Sequence, residues 1–132
     1  MYASAGYASA KKSYANVDIG ARVEASSPHQ LVAVLFEELL KSLDTLIVGL
    51  GANGTLNRSQ VIVRRARANT ILLGLEGSLD RRQGGEIAAG LSAIYREARR
   101  LIAAGSDAGD AEPIREARTM IAQISEAWAQ IG

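Results

Sequence analysis

The sequence has no cysteine at all, which removes disulfides, thiolate nucleophiles and every cysteine-ligated zinc site at once. Histidine occurs once, as His29 in the first turn of a helix-forming stretch, with no second histidine or carboxylate at ligand spacing. A helix start disfavours the charged imidazole, so His29 reads as a structural or surface residue, and neither a metal nor another cofactor is expected. Long apolar runs are missing too. No stretch of about 18 apolar residues is available to span a bilayer, and MYASAGYASAKKSYANVDIG at the N-terminus lacks the continuous apolar core of a signal peptide. The expectation is a soluble cytoplasmic protein without membrane insertion. Charge of one sign is not in excess either: 15 Lys and Arg against 14 Asp and Glu leave +1 over 132 residues, too balanced for a polyanion to be the main partner.

What is present is helical periodicity. Near the end, Ile114, Ala117, Ile121, Ile124, Trp128 and Ile131 recur at intervals of 3, 4, 3, 4 and 3, one continuous helical seam. Ile87, Leu91, Ile94, Ala98 and Leu101 repeat the pattern one segment earlier, with Tyr95 and Ile102 broadening the stripe. Between Asn57 and Leu79, the residues Val61, Ala68, Leu72, Leu75 and Leu79 share a face, and Asn57 with Gln60 has the spacing of a capping box. The stretch SSPHQLVAVLFEELLKSL opens on the helix-start signal Ser26-Ser27-Pro28. It continues with two adjacent apolar stripes, Leu31, Leu35, Leu39 and Leu46 beside Val32, Phe36, Leu40 and Ile47, with Leu43 between them. That much apolar surface suits a helix touching two neighbours.

Gly49, Gly51 and Gly54 with Asn53 break the chain after the first helix, Gly84-Gly85 separates the second from the third, and Gly105 to Asp110 separates the third from the fourth. The only two prolines, Pro28 and Pro113, fall in predicted first turns, where a missing N–H costs little. Short connections between such helices require antiparallel neighbours. The fold class is therefore all-α, an antiparallel up-down four-helix bundle over residues 26–132 with a flexible N-terminal arm over 1–25. The arm is rich in Ala, Ser and Gly yet holds three of the four tyrosines, Tyr2, Tyr7 and Tyr14. It has two readings: a frayed tail, or an arm lying on the bundle through spaced aromatic anchors.

The pattern lacks the makings of an enzyme. Glu37 and Glu38 are adjacent and diverge on a helix, and the E-x-x-H pairs of di-metal bundles are missing. Gly84-Gly85-Glu86 has neither the preceding strand nor the Lys-Ser/Thr of a phosphate loop, so a helix stop followed by a helix start explains it better. Six arginines, Arg58, Arg64, Arg65, Arg67, Arg81 and Arg82, stand against Glu76 and Asp80 in one stretch. Such a run is usually the solvated side of a helix, with a nucleic-acid site as the minority reading.

Taken in order, several pieces resemble the FliS flagellin export chaperones over nearly the whole chain. They are Ser27-Pro28 ahead of Leu31, Leu35 and Phe36; Leu79-Asp80 four residues before Gly84-Gly85-Glu86; Leu91 with Tyr95; and Ala127-Trp128 near the end. The resemblance implies an antiparallel helical bundle. It also implies a cytoplasmic partner for the C-terminal segment of flagellin, one that prevents premature polymerisation and assists delivery to the flagellar export apparatus. Such a client segment is amphipathic and becomes a buried helix only in the filament, so before export it needs a temporary apolar groove.

Candidate client contacts follow. Ile62, Ile71 and Leu73 fall outside the seam of the second helix and are expected on an exposed binding face. Leu31 and Leu35 are candidates from the surplus of the first helix, most of which goes to the core, and Tyr7 and Tyr14 are candidates from the arm. Two other functions compete: a small basic adaptor holding nucleic acid through Arg58, Arg64, Arg65 and Arg67, and a self-associating bundle whose apolar excess forms a homodimer.

Overall fold

The computed structural model describes residues 27–51 and 53–131. It contains four helices and, among the described residues, no strand: α1 (Pro28–Gly49), α2 (Arg58–Gly77), α3 (Arg81–Ala108) and α4 (Ala111–Ile131). Each packs on the next, and α4 closes the ring against α1. Cross-helix pairs show the directions. Arg65 meets Asp107 while Glu76 meets Arg99, so α2 and α3 are antiparallel; His29 meets Trp128 while Asp44 meets Arg118, so α4 and α1 are antiparallel. This is the expected four-helix bundle. Tyr2, Tyr7, Tyr14 and the rest of the arm lie outside the described residues.

Local chemistry sets the helix starts. Ser27 and Gln30 form a reciprocal capping box with bonds of 3.2 and 3.1 Å, and Pro28 takes the first helical position. Asn57 and Gln60 do the same for α2 at 2.9 Å each way, satisfying N–H groups that have no partner inside the helix. Asp80 caps α3 by accepting from the backbone N–H of Arg82 and Gln83. Asp110 accepts from that of Glu112 at the start of α4.

Two breaks differ from the sequence expectation. The gap between the second and third helices falls at Ser78–Asp80, ahead of Gly84-Gly85, because the Asp80 carboxylate nucleates a turn before the glycines are reached. Gly85 instead kinks α3, with φ 54° and ψ −129°. Likewise α3 runs through Gly105 to Ala108, and the turn into α4 is only Gly109, left-handed at φ 66°, and Asp110.

The first helix answers for its own apolar surplus. Leu31, Leu35, Phe36, Leu39, Leu43 and Leu46 are all buried, and Val32, Leu40 and Ile47 pack half-buried against them, because α1 has neighbours on two sides. Each full burial contributes about 1.5 to 3 kcal/mol. Helix α2 likewise buries more than one seam: Ala68, Ile71, Leu72 and Leu75 all face inward. The C-terminal part of the expected α3 seam is buried, with Tyr95, Ala98, Leu101 and Ile102 in the core and Leu91 packed against it, but the seam differs at its start. Ile87 is 76 % exposed, while Ala88, Ser92, Tyr95, Ala98 and Ile102 are buried. Small residues at 88, 92 and 98 let the helices approach closely, a reason for burial that apolar spacing alone does not reveal.

Candidate functional site

One side of the bundle is left open between α2 and α3. Along α2, Ile62, Ala66, Asn69 and Leu73 are spaced 4, 3 and 4 residues apart and so form a single stripe. Ile62 is 57 % exposed and Leu73 50 %. Opposite the first part of this stripe, α3 supplies Arg99, Ile102 and Ala103. Together with Arg65 these residues line a groove of about 310 Å³. Ile62, Ala66, Ile102 and Ala103 give it apolar lining, and Asn69 with an arginine from each wall, Arg65 from α2 and Arg99 from α3, gives it polar lining.

Each of these arginines is tied to an acid on the opposite helix. Arg65 Nη1 lies 2.5 Å from Asp107 Oδ1 in a solvent-facing pair. Arg99 Nη1 donates to Glu76 Oε1 at 2.6 Å, while Arg96 Nε and Ser92 Oγ donate to Glu76 Oε2 at 2.8 and 2.7 Å. The Glu76 side chain is only 12 % exposed. Burial by itself would push its carboxyl up, but the hydrogen bonds from Arg99, Ser92 and Arg96 outweigh that and hold it at about 2. Nearby in α3, burial pushes the Tyr95 phenol up to about 12.

Of the residues that sequence reasoning proposed as contacts, Ile62 and Leu73 stand on the open stripe. Leu31 and Leu35 do not; both are buried in the bundle core. Ile71 is a correction: expected outside the seam, it is fully buried, because α2 turns a wide arc inward to meet both α1 and α3. Tyr7 and Tyr14 lie outside the described residues. In the groove's far wall Ile102 was legible as part of the apolar stripe of its helix, whereas Arg99 and Ala103 carried no signal, since pairing across the α2/α3 gap depends on how the turn at residues 78–80 sets the register.

His29 has the structural role expected of it. Its ring stacks on Trp128 with centroids 4.6 Å apart and an 11° interplanar angle. Trp128 Nε1–H donates to the His29 carbonyl at 3.0 Å, and His29 Nε2–H donates to the Trp128 carbonyl at 3.0 Å. Among the described residues no group of three His, Cys, Asp or Glu could hold a metal ion, and no helix is long and apolar enough to cross a membrane.

The fold and its open stripe thus define an all-α antiparallel bundle with a partly apolar groove on one helix pair. The chain belongs to the FliS family: the model of the family described as flagellar protein FliS matches residues 10–132. The flagellar secretion chaperone FliS of Salmonella typhimurium is 34 % identical, over 99 % of this chain and 93 % of that protein. Two more distant relatives agree with this. The flagellar secretion chaperone FliSB of Pseudomonas aeruginosa is 26 % identical over 90 % of this chain and 92 % of its own length. FliS of Vibrio cholerae is 27 % identical over 91 % and 86 %.

Proposed function

We propose that this protein is a cytoplasmic chaperone for flagellin, holding the client's C-terminal segment on apolar surface so that it neither polymerises early nor aggregates before it reaches the flagellar export apparatus. Membership of a family of flagellar secretion chaperones supports the general role. The observation that carries the finer reading is the stripe of Ile62, Ala66, Asn69 and Leu73, in which the two large apolar side chains Ile62 and Leu73 are left facing solvent along the face that borders the groove. A disordered amphipathic segment gains a partner there, and the burial of several anchors offsets an ordering cost of a few kcal/mol. No bond is made or broken in this role, so no catalytic group is called for.

Calorimetric titration with the C-terminal segment of a cognate flagellin tests this. The expected result is a negative heat-capacity change and a gain of helix on binding, with Ile62→Ser weakening the affinity about tenfold through the loss of an apolar anchor. No binding by any cognate flagellin segment would overturn the reading.

Of the four arginines on which a nucleic-acid adaptor would rest, Arg65 is engaged by the Asp107 carboxylate; the family membership, not the ion pairing, is what favours the chaperone reading over that alternative.

A further inference from the structure

An arginine stands on each wall of the groove, each paired with an acid of the other wall, and the α2 helix that forms one wall is otherwise short of acid. From Arg58 to Gly77 it carries Arg58, Arg64, Arg65 and Arg67 against a single carboxylate, Glu76. Glu76 lies near the far end, committed to Ser92, Arg96 and Arg99. Arg58, Arg64 and Arg67 make no ion pair with a described residue. Across α2 and α3 nine arginines stand against four carboxylates, so the helix pair that makes the groove carries net positive charge.

We propose that Arg65 and Arg99 are specificity-determining residues that select, for the α2/α3 groove, an amphipathic client segment carrying carboxylates along both edges of its apolar face. The inference rests on the chaperone reading only for the source of that segment, a client polypeptide.

Three features support the selection. First, the groove is two-sided: Arg65 lines it from α2 and Arg99 from α3, together with Ile62, Ala66, Asn69, Ile102 and Ala103. An occupant seated on its apolar face then brings its two polar edges to the two arginines. From Ile62 to Leu73 the stripe extends about 16 Å at 1.5 Å per residue, room for about three turns of helix. Second, Arg65 is available at low cost and Arg99 keeps donors that its bond to Glu76 does not use. The Arg65–Asp107 pair is solvent-facing, with Asp107 69 % exposed, and such pairs are worth only about 0 to 1 kcal/mol. Arg99 uses Nη1 for Glu76, so its other guanidinium N–H groups can take a second carboxylate. Third, an occupant excludes water from the rims, where charge-assisted bonds then act at a lower effective dielectric than on the bare surface. A nucleic acid has no apolar face to set between the two arginines, and a segment with Lys or Arg edges meets like charge on both sides.

The test uses the full chain and three labelled helical peptides with one apolar face and Glu, Gln or Lys edges, read by fluorescence anisotropy at low and high salt. A single-stranded oligonucleotide and a cognate flagellin C-terminal segment are run in parallel. The Glu-edged peptide is expected to bind about tenfold tighter than the Gln-edged one and the Lys-edged one weakest. Arg65→Gln and Arg99→Gln should each reduce the Glu preference, read as the ratio of the affinities for the Glu- and Gln-edged peptides, and the double variant should bring that ratio to one. Circular dichroism confirms folding, and Arg65→Gln, at a solvent-facing position, serves if Arg99→Gln unfolds.

Equal affinity for the Glu- and Gln-edged peptides, a preference that survives in the double variant, or displacement of the peptides by the oligonucleotide would overturn the proposal. If the flagellin segment binds with an affinity indifferent to both arginines, the selectivity fails and the chaperone reading stands. If the Glu preference holds but no flagellin segment binds, the selectivity stands and the flagellin reading fails.

Discussion

Glu76 is the residue whose ionisation the fold most strongly commands. Its carboxyl sits at about 2 in the fold against an ordinary value of 4.5. The stabilisation this represents is thus present above about 4.5, where the unfolded chain is also ionised, and is lost as pH falls from there toward 2. Glu76→Gln should lower stability at neutral pH by about 1 to 2 kcal/mol, the range for a screened, charge-assisted cluster. The difference from wild type should shrink to nothing near pH 2 in urea titrations run across that range. Tyr95 gives the opposite limb. Its phenol titrates at about 12 instead of 10 because burial disfavours the phenolate. Stability is therefore full below pH 10 and falls as pH rises from 10 toward 12. Tyr95→Phe should leave neutral stability nearly unchanged and remove that alkaline loss in the same urea assay. These two side chains also show what the sequence could carry at this scale. Tyr95 was legible as part of an apolar stripe, whereas nothing local to Glu76 announces Ser92, Arg96 and Arg99, which reach it from another helix.

Among the elements, the helix starts were the most legible parts and the α2/α3 break the least. Capping boxes at Ser27/Gln30 and Asn57/Gln60 are local, so four residues suffice to specify them. The Asp80 start is local too, but Gly84-Gly85 four residues later mimics a stronger stop, and composition cannot weigh a single capping carboxylate against a glycine pair. The two positive-φ glycines separate the effects. A Cβ at either Gly85 or Gly109 would meet nothing within 4 Å, so replacement by alanine tests conformation alone. Gly109 is in the left-handed region, where alanine costs about 1 kcal/mol. Gly85, at φ 54° and ψ −129°, occupies a conformation that side chains disfavour more, costing about 2 to 3 kcal/mol. Gly85→Ala should therefore lower the melting temperature more than Gly109→Ala, and the reverse order in calorimetry would show that the kink relaxes into a straight helix at little cost. The open stripe was half legible: Ile62 and Leu73 break the α2 seam as exposed residues, but so does Ile71 on paper. Only the two-sided packing of α2 tells them apart.

For the whole molecule, an even number of antiparallel helices brings the start of α1 and the end of α4 to the same pole, and the mutual bonds of His29 and Trp128 hold them there across 99 residues of sequence. The backbone is in effect a nearly closed circuit, so where the covalent gap falls is a matter of history more than of architecture. A circular permutant joining Ile131 to Ser27 through a short Gly-Ser linker, with new ends opened in the Gly51–Gly54 loop, should keep the same helical spectrum and unfold in one transition. Trp128, the only tryptophan, should keep its emission wavelength as well. Breaking the ring by Trp128→Ala should instead be felt less in the permutant than in the native order, since the linker then does by tethering what stacking and two hydrogen bonds do in the parent. Ser27 and the start of α1 stand at that same pole, so a pull applied to the chain at Ser27 loads that aromatic latch before it reaches the groove.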